Sequence, residues 1–316
     1  MSDSALRGNH LLGLRESPSD DIHLILETAE SMREILSRRI RKVPTLRGRT
    51  VVTLFYEPST RTRSSFETAA RVMSADTMSI AAATSSIIKG ESLIDTVQTL
   101  RSIAMDILVI RHSMAGAPHL AARHAHCPVI NAGDGFNEHP TQGLLDIYTM
   151  TRRFGSVEGL KVAIVGDILH SRVARSDLWA LTRLGAEVRL AGPPTLLPEE
   201  LSQAGAVCCS RLEEAIDGAN VIQVLRIQKE RQESGLFPSL REYHNLYGIT
   251  MQRLQRAAPD AIVMHPGPMN RGVEIDPDVA DSRQAQITDQ VTNGVAIRMA
   301  ILYLLLGGKA NDALSA

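Results

Sequence analysis

Short apolar runs alternate along the chain with stretches whose apolar residues recur at helical spacing. The runs are bounded by Gly, Pro and polar residues, as buried strands are, and they cover residues 51–56, 77–81, 107–110, 128–131, 160–165, 188–191, 221–224 and 261–264. Strands that alternate with helices predict parallel sheets. We therefore expect an α/β fold in which two doubly wound parallel-sheet domains are joined by helices.

Helical periodicity marks the remaining parts of the chain. Ser19 is predicted to cap a first helix, and residues 143–158 are predicted to form a long helix that joins the two domains. The stretch 291–306 is apolar over most of its surface, so we expect a buried last helix. Residues 1–17 are predicted to be a mobile tail, and residues 232–248 a flexible loop that closes over a bound ligand.

Composition narrows the class of protein. The 316 residues are enough for two domains, and 44% of them are hydrophobic and 22% charged, with a net charge of -1. Without a basic excess, nucleic acid and acidic membranes are not expected as partners. No apolar stretch has the length of a signal sequence or a membrane span. Cys127, Cys208 and Cys209 form no C-x-x-C motif, which fits a reducing cytoplasm.

The strongest candidate for chemistry follows the first strand. Pro58 ends that strand, and Phe66 lies on the apolar face of the next helix. Between them stand five consecutive donors of hydrogen bonds: Ser59, Thr60, Arg61, Thr62 and Arg63. Unpaired N–H groups and the positive end of the helix dipole gather at the same place, so the turn predicts a phosphate or other oxyanion site. Ordinary capping with solvated arginines is the alternative, but capping does not need five donors.

Two more strands of the first predicted sheet end in polar groups. Arg111 follows the run at 107–110, and His139 and Gln142 follow the turn after 128–131. The carboxyl ends of parallel strands meet at one edge, where the ligands of open sheets bind. His139 can donate to a carbonyl oxygen, and Gln142 offers both an amide donor and an acceptor. We expect these side chains to converge on the turn that contains the five donors.

The second predicted domain offers arginines. Arg172 opens the helix after the run at 160–165, and Arg226 and Gln228 leave the end of the run at 221–224. A guanidinium group binds a carboxylate through two hydrogen bonds, so two separated arginines fit a small dicarboxylate. A charged, exposed loop is the alternative for the segment that contains Arg226.

Two other segments carry polar groups with two possible interpretations. Pro266 and Pro268 flank Gly267 and remove two N–H donors, which leaves carbonyl oxygens as acceptors for an NH₂ group; a rigid structural turn is the alternative. Ser85 and Lys89 lie among small residues, which composition alone predicts to form a solvated surface loop.

No metal or cofactor site is predicted. His124, His126 and Cys127 lie close together, but no second cluster has the spacing of a zinc site. The turn at Gly166 has one of the three glycines of the dinucleotide-binding motif, so close backbone approach to a pyrophosphate is not supported.

Five motifs resemble those of one enzyme family. The segment EPSTRTRSSFE is similar to the phosphate-binding signature of the carbamoyltransferases. The segments HPTQGLLD, GDILHSRVARS, LRIQKER and HPGPMNRGVEI resemble the aspartate branch of that family and occur in the expected order. The resemblance extends from about residue 20 to residue 305.

The resemblance implies a fold, a reaction and an assembly. Residues 1–148 and 291–316 would form a carbamoyl phosphate domain, and residues 149–290 an aspartate domain. The carbamoyl group of carbamoyl phosphate would pass to the amine of L-aspartate, a step of pyrimidine biosynthesis, with no cofactor. The family's shared active sites imply a homotrimer, expected in the cytoplasm. A higher assembly with a regulatory or dihydroorotase-like chain is left open.

The resemblance also implies a role for each candidate residue. Direct attack of the amine on the carbonyl carbon would be catalysed by Arg61, Thr62, Arg111 and His139. Carbamoyl phosphate would be bound by Ser59, Thr60, Arg61, Thr62, Ser85, Arg111, His139, Gln142, Pro266, Gly267 and Pro268. Aspartate would be bound by Lys89, Arg172, Arg226 and Gln228. Ser85 and Lys89 would reach the active site of the neighbouring subunit.

Three alternatives remain open. An ornithine carbamoyltransferase would share the first domain, but its cationic substrate favours an acidic or thiol-bearing site over paired arginines. An NAD-dependent oxidoreductase would bind a dinucleotide at residues 164–172. A non-catalytic homologue that serves as an assembly subunit would lack carbamoyl transfer.

Overall fold

The computed structural model describes residues 6–81, 90–103, 105–227 and 239–307. Two compact units are found. The first contains the chain up to Leu144 together with the chain from Thr292 onward, and the second contains Leu145–Val291. Each unit is built on its own parallel sheet, and each is described by itself below.

Helices and strands alternate along the described residues. The helices are α1 Ser19–Ser37, α2 Thr60–Val72, α3 Leu93–Ser102, α4 Ala117–Ala125, α5 Pro140–Phe154, α6 Arg172–Arg183, α7 Leu212–Ile216, α8 Leu240–Tyr247, α9 Met251–Leu254, α10 Pro277–Ala280 and α11 Ile287–Leu306. The strands are β1 Thr50–Phe55, β2 Asp76–Ala81, β3 Ile107–His112, β4 Val129–Asp134, β5 Lys161–Val165, β6 Glu187–Ala191, β7 Val207–Cys209, β8 Val221–Val224 and β9 Ile262–Met264. Two 3-10 turns, Pro194–Leu196 and Glu199–Ala204, separate β6 from β7.

The sheet of the first unit has four parallel strands within the described residues, in the order β2-β1-β3-β4. β1 is central, and its residues from Val51 to Phe55 are buried. Val51 lies beside Thr77 of β2 and Ile107 of β3, so the three strands end near the same edge. Helices α3 and α4 cover a core that includes Val97, Leu100 and Ala121.

The sheet of the second unit has five parallel strands in the part of the chain described, in the order β7-β6-β5-β8-β9. Together the two parallel sheets confirm the predicted α/β class. Strand β7 was not predicted. It has only three residues, it lies at the edge of the sheet, and its first residue is exposed. Runs this short carry no periodic signal.

The N-terminal prediction was wrong for residues 6–17. Leu11 donates from its N–H to Val129 O at 2.9 Å and accepts from Asn131 N at 2.8 Å, so this segment adds a backbone contact to β4. Leu14 is fully buried. The leucines in this polar stretch explain why it is not a mobile tail, because apolar side chains are stabilised by packing away from water.

Two local predictions also need correction. Ser19 is the first residue of α1, and Pro18 occupies the N-cap position in extended conformation. Residues 239–248 of the predicted loop are ordered around α8. Ser239 caps this helix by accepting from Glu242 N at 3.1 Å, and Tyr243 and Tyr247 are buried on one face. Aromatic residues four positions apart form such a face. Residues 228–238 lie outside the described residues.

The last helix, α11, contributes to the first unit. Arg298 is buried, donates to Ser65 Oγ of α2 at 3.0 Å and lies 5.2 Å from the centre of the Phe66 ring. Arg33 of α1 donates to the side-chain oxygen of Asn293. Although α11 has 20 residues, neither it nor any other helix among the described residues is long and apolar enough to cross a membrane.

A pair of buried carboxyl groups lies inside the second unit. Asp146 of α5 accepts hydrogen bonds from Gln223 Nε2 at 3.0 Å and from Gln290 Nε2 at 2.6 Å. Asp177 of α6 is fully buried, and neither of its oxygens has a hydrogen-bond partner among the described residues. Burial, and then the charge of Asp146, raises the pKa of Asp177 well above its usual range. Asp177 is therefore protonated over a wide range of pH.

We predict that Asp177 makes the second unit less stable as the pH rises. A carboxyl group whose pKa is raised by folding stabilises the protein fully below its unfolded pKa, and this contribution is lost as the pH rises through the folded pKa. In Asp177→Asn the group does not titrate. The Tm of Asp177→Asn minus that of the wild type should therefore increase between pH 5 and pH 8, by about 2–4 °C for each kcal/mol of stability that the wild type loses.

The measurement is thermal unfolding at several pH values. Asp146→Asn is the matched control, because one amide cannot accept from both Gln223 and Gln290, so its Tm should be lower at every pH. A Tm difference between Asp177→Asn and the wild type that does not change with pH would contradict this assignment.

Candidate active site

The candidate anion-binding turn lies between β1 and α2. Ser59 takes the N-cap position with extended backbone, φ -158° and ψ 93°, and its side chain caps no N–H among the described residues. Thr60 and Arg61 are exposed, whereas Thr62 is 6% exposed. The first N–H groups of a helix have no partner within the helix. Hydroxyl, guanidinium and backbone donors thus share one exposed end of α2.

The register of β1 and β3 brings Arg111 beside this turn. Phe55 is paired with Arg111, and Tyr56 N donates to Arg111 O at 2.9 Å, one residue beyond the end of β1. Pro58 follows and cannot extend the ladder, so the chain turns away from the sheet at this point. Strand pairing therefore fixes the backbone of Arg111 next to the segment that carries Ser59.

The Arg111 side chain is held in place by an ion pair and a hydrogen bond. Its Nε lies 3.3 Å from Glu57 Oε2, and its Nη1 donates to Ala132 O at 3.3 Å. Both charged side chains are less than one-fifth exposed. A guanidinium group held by fixed acceptors needs little rearrangement to bind an anion. Glu57 was not singled out in the sequence, because the residues it contacts are distant along the chain.

The turn after β4 is organised by Asp134. Its buried carboxylate accepts from Gly116 N at 2.8 Å, Asn131 Nδ2 at 2.8 Å and Glu138 N at 3.1 Å. Charge-assisted hydrogen bonds of this kind fix the conformation of a loop. Asp134 was also missed in the sequence, although its position in the Gly-rich segment is a usable signal.

Polar side chains follow this turn at the start of α5. His139, Thr141 and Gln142 are all buried, and the hydroxyl group of Thr141 has no partner among the described residues. Gln142 N donates to His139 O at 2.9 Å, which fixes the first turn of the helix. Buried polar groups at a helix start that follows the carboxyl end of a parallel strand are candidates for contact with a polar ligand.

His112, next to Arg111, has a structural role. Its Nδ1 accepts from Met114 N at 2.9 Å, and its ring lies 4.3 Å from the ring of Tyr56. Burial lowers the pKa of His112, against the opposing effects of Glu57 and Asp134. The imidazole is therefore neutral at physiological pH and acts as a backbone acceptor.

In the second unit, two arginines leave neighbouring strands. Arg172 is the first residue of α6 and is 4% exposed, and Ser171 caps that helix by accepting from Ala174 N at 3.1 Å. Arg226 follows β8 and is partly exposed. β5 and β8 are paired in parallel, so Arg172 and Arg226 follow the same edge of the sheet.

The proline-rich turn follows β9, the strand next to β8. Gly267 has a φ of 64°, a left-handed conformation that suits glycine. Its N–H donates to His265 Nδ1 at 2.8 Å. Pro266 and Gly267 are partly exposed and Pro268 is exposed, so this turn can present its carbonyl oxygens to a ligand.

Three predicted site residues cannot be placed. Ser85, Lys89 and Gln228 lie outside the described residues. Cys127, one member of the histidine-rich cluster, is a partly buried thiol, and burial and then the charge of Asp106 raise its pKa to about 11. This thiol is protonated at physiological pH, so Cys127 is a poor metal ligand.

The two units define a class of protein. One carries hydroxyl and guanidinium groups at the start of α2, next to the strand that ends with the largely buried Arg111, and the other carries Arg172 and Arg226 after two paired parallel strands. The sequence model described as the carbamoyl-P binding domain of aspartate/ornithine carbamoyltransferase matches residues 9–152, and the Asp/Orn binding domain matches residues 158–305. The chain belongs to the aspartate/ornithine carbamoyltransferase family.

Relatives from both branches of the family resemble the chain. The aspartate carbamoyltransferase catalytic subunit of Pelotomaculum thermopropionicum is 63% identical, covering 96% of this chain and 98% of the relative. Aspartate transcarbamoylase from Trypanosoma cruzi, solved in complex with N-(phosphonacetyl)-L-aspartic acid, has a TM-score of 0.87 at 32% identity, covering 95% and 97%. Ornithine carbamoyltransferase from Pyrococcus furiosus has a TM-score of 0.85 at 29% identity, covering 96% and 99%.

We predict that Arg61→Ala weakens the binding of inorganic phosphate. Hydrogen bonds to charged groups contribute about 1.5–3 kcal/mol, so Kd should rise roughly tenfold or more. Isothermal titration calorimetry measures this change. Arg71→Ala removes an arginine from the other end of α2 and should leave Kd unchanged. Equal effects of the two substitutions would mean that phosphate responds to net charge and not to this turn.

Proposed function

We propose that this chain catalyses the aspartate carbamoyltransferase reaction. Carbamoyl phosphate and L-aspartate give N-carbamoyl-L-aspartate and phosphate, which places the chain in pyrimidine biosynthesis. The observation that carries the proposal is the Ser59–Thr62 helix start beside Arg111, in a chain 63% identical to a relative named as an aspartate carbamoyltransferase catalytic subunit.

In the first unit, the donors fit the phosphate and carbonyl groups of carbamoyl phosphate. Ser59, Thr60, Arg61 and Thr62 surround the positive end of α2, where an oxyanion is stabilised. Thr62, Arg111 and His139 would polarise the carbonyl oxygen, and Gln142 would orient the amide. In the second unit, the carbonyl groups of the turn at Pro266, Gly267 and Pro268 are acceptors for an NH₂ group. Ser85 is the remaining proposed phosphate ligand.

The chemical step needs no group covalently bound to the enzyme. The neutral amine nitrogen of aspartate attacks the carbonyl carbon, and a C–N bond forms. The bond between that carbon and the bridging oxygen of phosphate then breaks, and the phosphate leaves with the electron pair and accepts the proton of the amine. The protein supplies position and charge rather than a nucleophile.

The typical sizes of the two effects indicate that positioning of the substrates contributes most of the rate enhancement. Holding two reactants in attack geometry contributes about 7–11 kcal/mol. One preorganised donor to the developing negative charge on the carbonyl oxygen contributes about 2.7–4 kcal/mol. Fixed side chains such as Arg111, with its ion pair and its hydrogen bond, are suited to both effects.

Aspartate is favoured over ornithine by the charges of the second unit. Arg172 and Arg226 offer guanidinium groups to two carboxylates, with Gln228 and Lys89 as the other proposed ligands. A second amino group, as in ornithine, would be repelled by them. The fold alone does not decide the branch, because the Pyrococcus furiosus ornithine enzyme also has a TM-score of 0.85.

The proposed function is tested by assaying the purified chain with carbamoyl phosphate and either amino acid. N-carbamoyl-L-aspartate and phosphate should be formed with aspartate, and little product with ornithine. Preferential carbamoylation of ornithine would establish the other branch. The absence of product with both would favour a non-catalytic homologue, and a fluorescence change on titration with NADH would favour a dinucleotide enzyme.

We predict different kinetic effects for arginines of the two units. Arg61→Ala should lower kcat by roughly 100- to 1,000-fold, the loss found when one transition-state donor is removed. Arg226→Ala should mainly raise KM for aspartate, because it removes a carboxylate ligand. Steady-state kinetics measure both, with Arg71→Ala as the control. Near-normal turnover of Arg61→Ala would contradict the role of the turn.

We also infer a homotrimer in the cytoplasm, with Ser85 and Lys89 completing the active site of the neighbouring subunit. The support is the family to which the chain belongs, the composition of residues 83–92, and cysteines without a C-x-x-C motif. A further regulatory or dihydroorotase-like chain is compatible with this proposal. The mass of the native assembly tests the number of subunits.

Mixing two inactive variants should restore activity if active sites are shared. A shared site would take Arg61 from one subunit and Lys89 from the next. In every trimer that contains both variants, one of the three interfaces then has both native residues. Equal amounts of Arg61→Ala and Lys89→Ala, unfolded and refolded together, should therefore give roughly a quarter of wild-type activity. Refolding each variant alone is the control. Activity no higher than in the separate samples would contradict shared sites.

A further inference from the structure

A buried polar cluster lies directly beneath the proline-rich turn of the second unit. It consists of His265, Asn270 and Glu274, and the side chains of His265 and Glu274 are fully buried. Glu274 Oε1 accepts from Asn270 N at 2.5 Å and lies 3.2 Å from His265 Nε2, and Glu274 Oε2 accepts from Asn270 Nδ2 at 3.2 Å. The carboxyl group of Glu274 therefore contacts the residues at both ends of the turn, His265 and Asn270.

The tautomer of His265 follows from its contacts. Its Nδ1 accepts from Gly267 N at 2.8 Å, so the ring proton is on Nε2, which faces Glu274. The backbone N–H of His265 donates to Gln290 Oε1 at 2.9 Å, and Gln290 in turn donates to Asp146 at 2.6 Å. The backbone that carries Gly267 is thus held from both sides by buried hydrogen bonds.

Asn270 joins this turn to the segment that follows β8. Its Nδ2 donates to Ile227 O at 3.3 Å as well as to Glu274 Oε2. Ile227 is fully buried in the core of the second unit, directly after Arg226 and directly before Gln228. One amide group thereby links the backbone of the proposed carbamoyl-binding turn to the backbone between two proposed aspartate ligands.

We propose that Asn270 is a positioning residue for aspartate, acting through the carbonyl group of Ile227. The proposal rests on the proposed function. The donor on Nδ2 is the critical feature, because the main-chain N–H of Asn270 and the ring of His265 still hold the turn when that donor is lost. Removing the donor frees the segment that carries Arg226 and leaves the turn at Gly267 in place.

Two variants of Asn270 separate hydrogen-bond donation from packing. Asn270→Ala removes the donor and some volume. Asn270→Asp keeps the shape but places an oxygen against Ile227 O and Glu274 Oε2, which are both acceptors. If donation positions the segment, both variants should raise KM for aspartate about tenfold. Their KM for carbamoyl phosphate should stay within about twofold of the wild type.

Asn220 supplies the matched control in the same unit. Its Oδ1 accepts from Lys161 N at 2.9 Å, at the amino end of β5 and β8, and so away from the edge that carries the arginines. Asn220→Ala should lower Tm without changing either KM. Asn220→Asp keeps the acceptor and should behave as the wild type in both measurements.

Steady-state kinetics and thermal unfolding of the full chain and the four variants test the proposal. A selective rise in KM for aspartate in both Asn270 variants, absent from both Asn220 variants, supports it. A lower Tm with unchanged KM, or wild-type kinetics in Asn270→Asp, overturns it. A wild-type chain without carbamoyl transfer would instead refute the proposed function, and this inference with it.

Discussion

The parallel register of β1 and β3 is the constraint on which the first unit's site depends. It pairs Arg111 with Phe55, and Arg111 O accepts from Tyr56 N, two residues before Pro58 turns the chain toward α2, so residues far apart in sequence become neighbours through backbone hydrogen bonds. Glu57 and the carbonyl group of Ala132 then fix the guanidinium group.

The sequence allowed the class of fold and the types of donor to be predicted, because both depend on local pattern. Apolar runs predicted the strands at 51–56 and 107–110, which the structure confirms, and the polar residues after them provided the candidate ligand groups. What could not be predicted depends on contacts between distant residues. The local sequence places Asp134 in a Gly-rich segment, but its role is visible only from its contacts with Gly116 and Asn131. Helix α8 was missed because Gly235 and Pro238, just before it, indicate a loop.

Both units use the same arrangement at the carboxyl edge of a parallel sheet. The candidate ligand groups stand on short turns, and each turn is fixed by a buried carboxylate that accepts several N–H groups: Asp134 in the first unit and Glu274 in the second. Both carboxylates are fully buried. They make the turns rigid, and a rigid turn loses less entropy when a substrate binds.

The contact between Arg298 and Ser65 has a consequence for the order in which the chain can fold during its synthesis. Helix α2, which carries the candidate anion-binding turn, is contacted by a side chain that the ribosome adds more than 200 residues later, since the pair is separated by 233 positions. Until α11 has emerged, Phe66 lacks the cation that covers its ring, and the second unit has already been synthesised. The first unit therefore cannot complete its packing until the second unit has been translated.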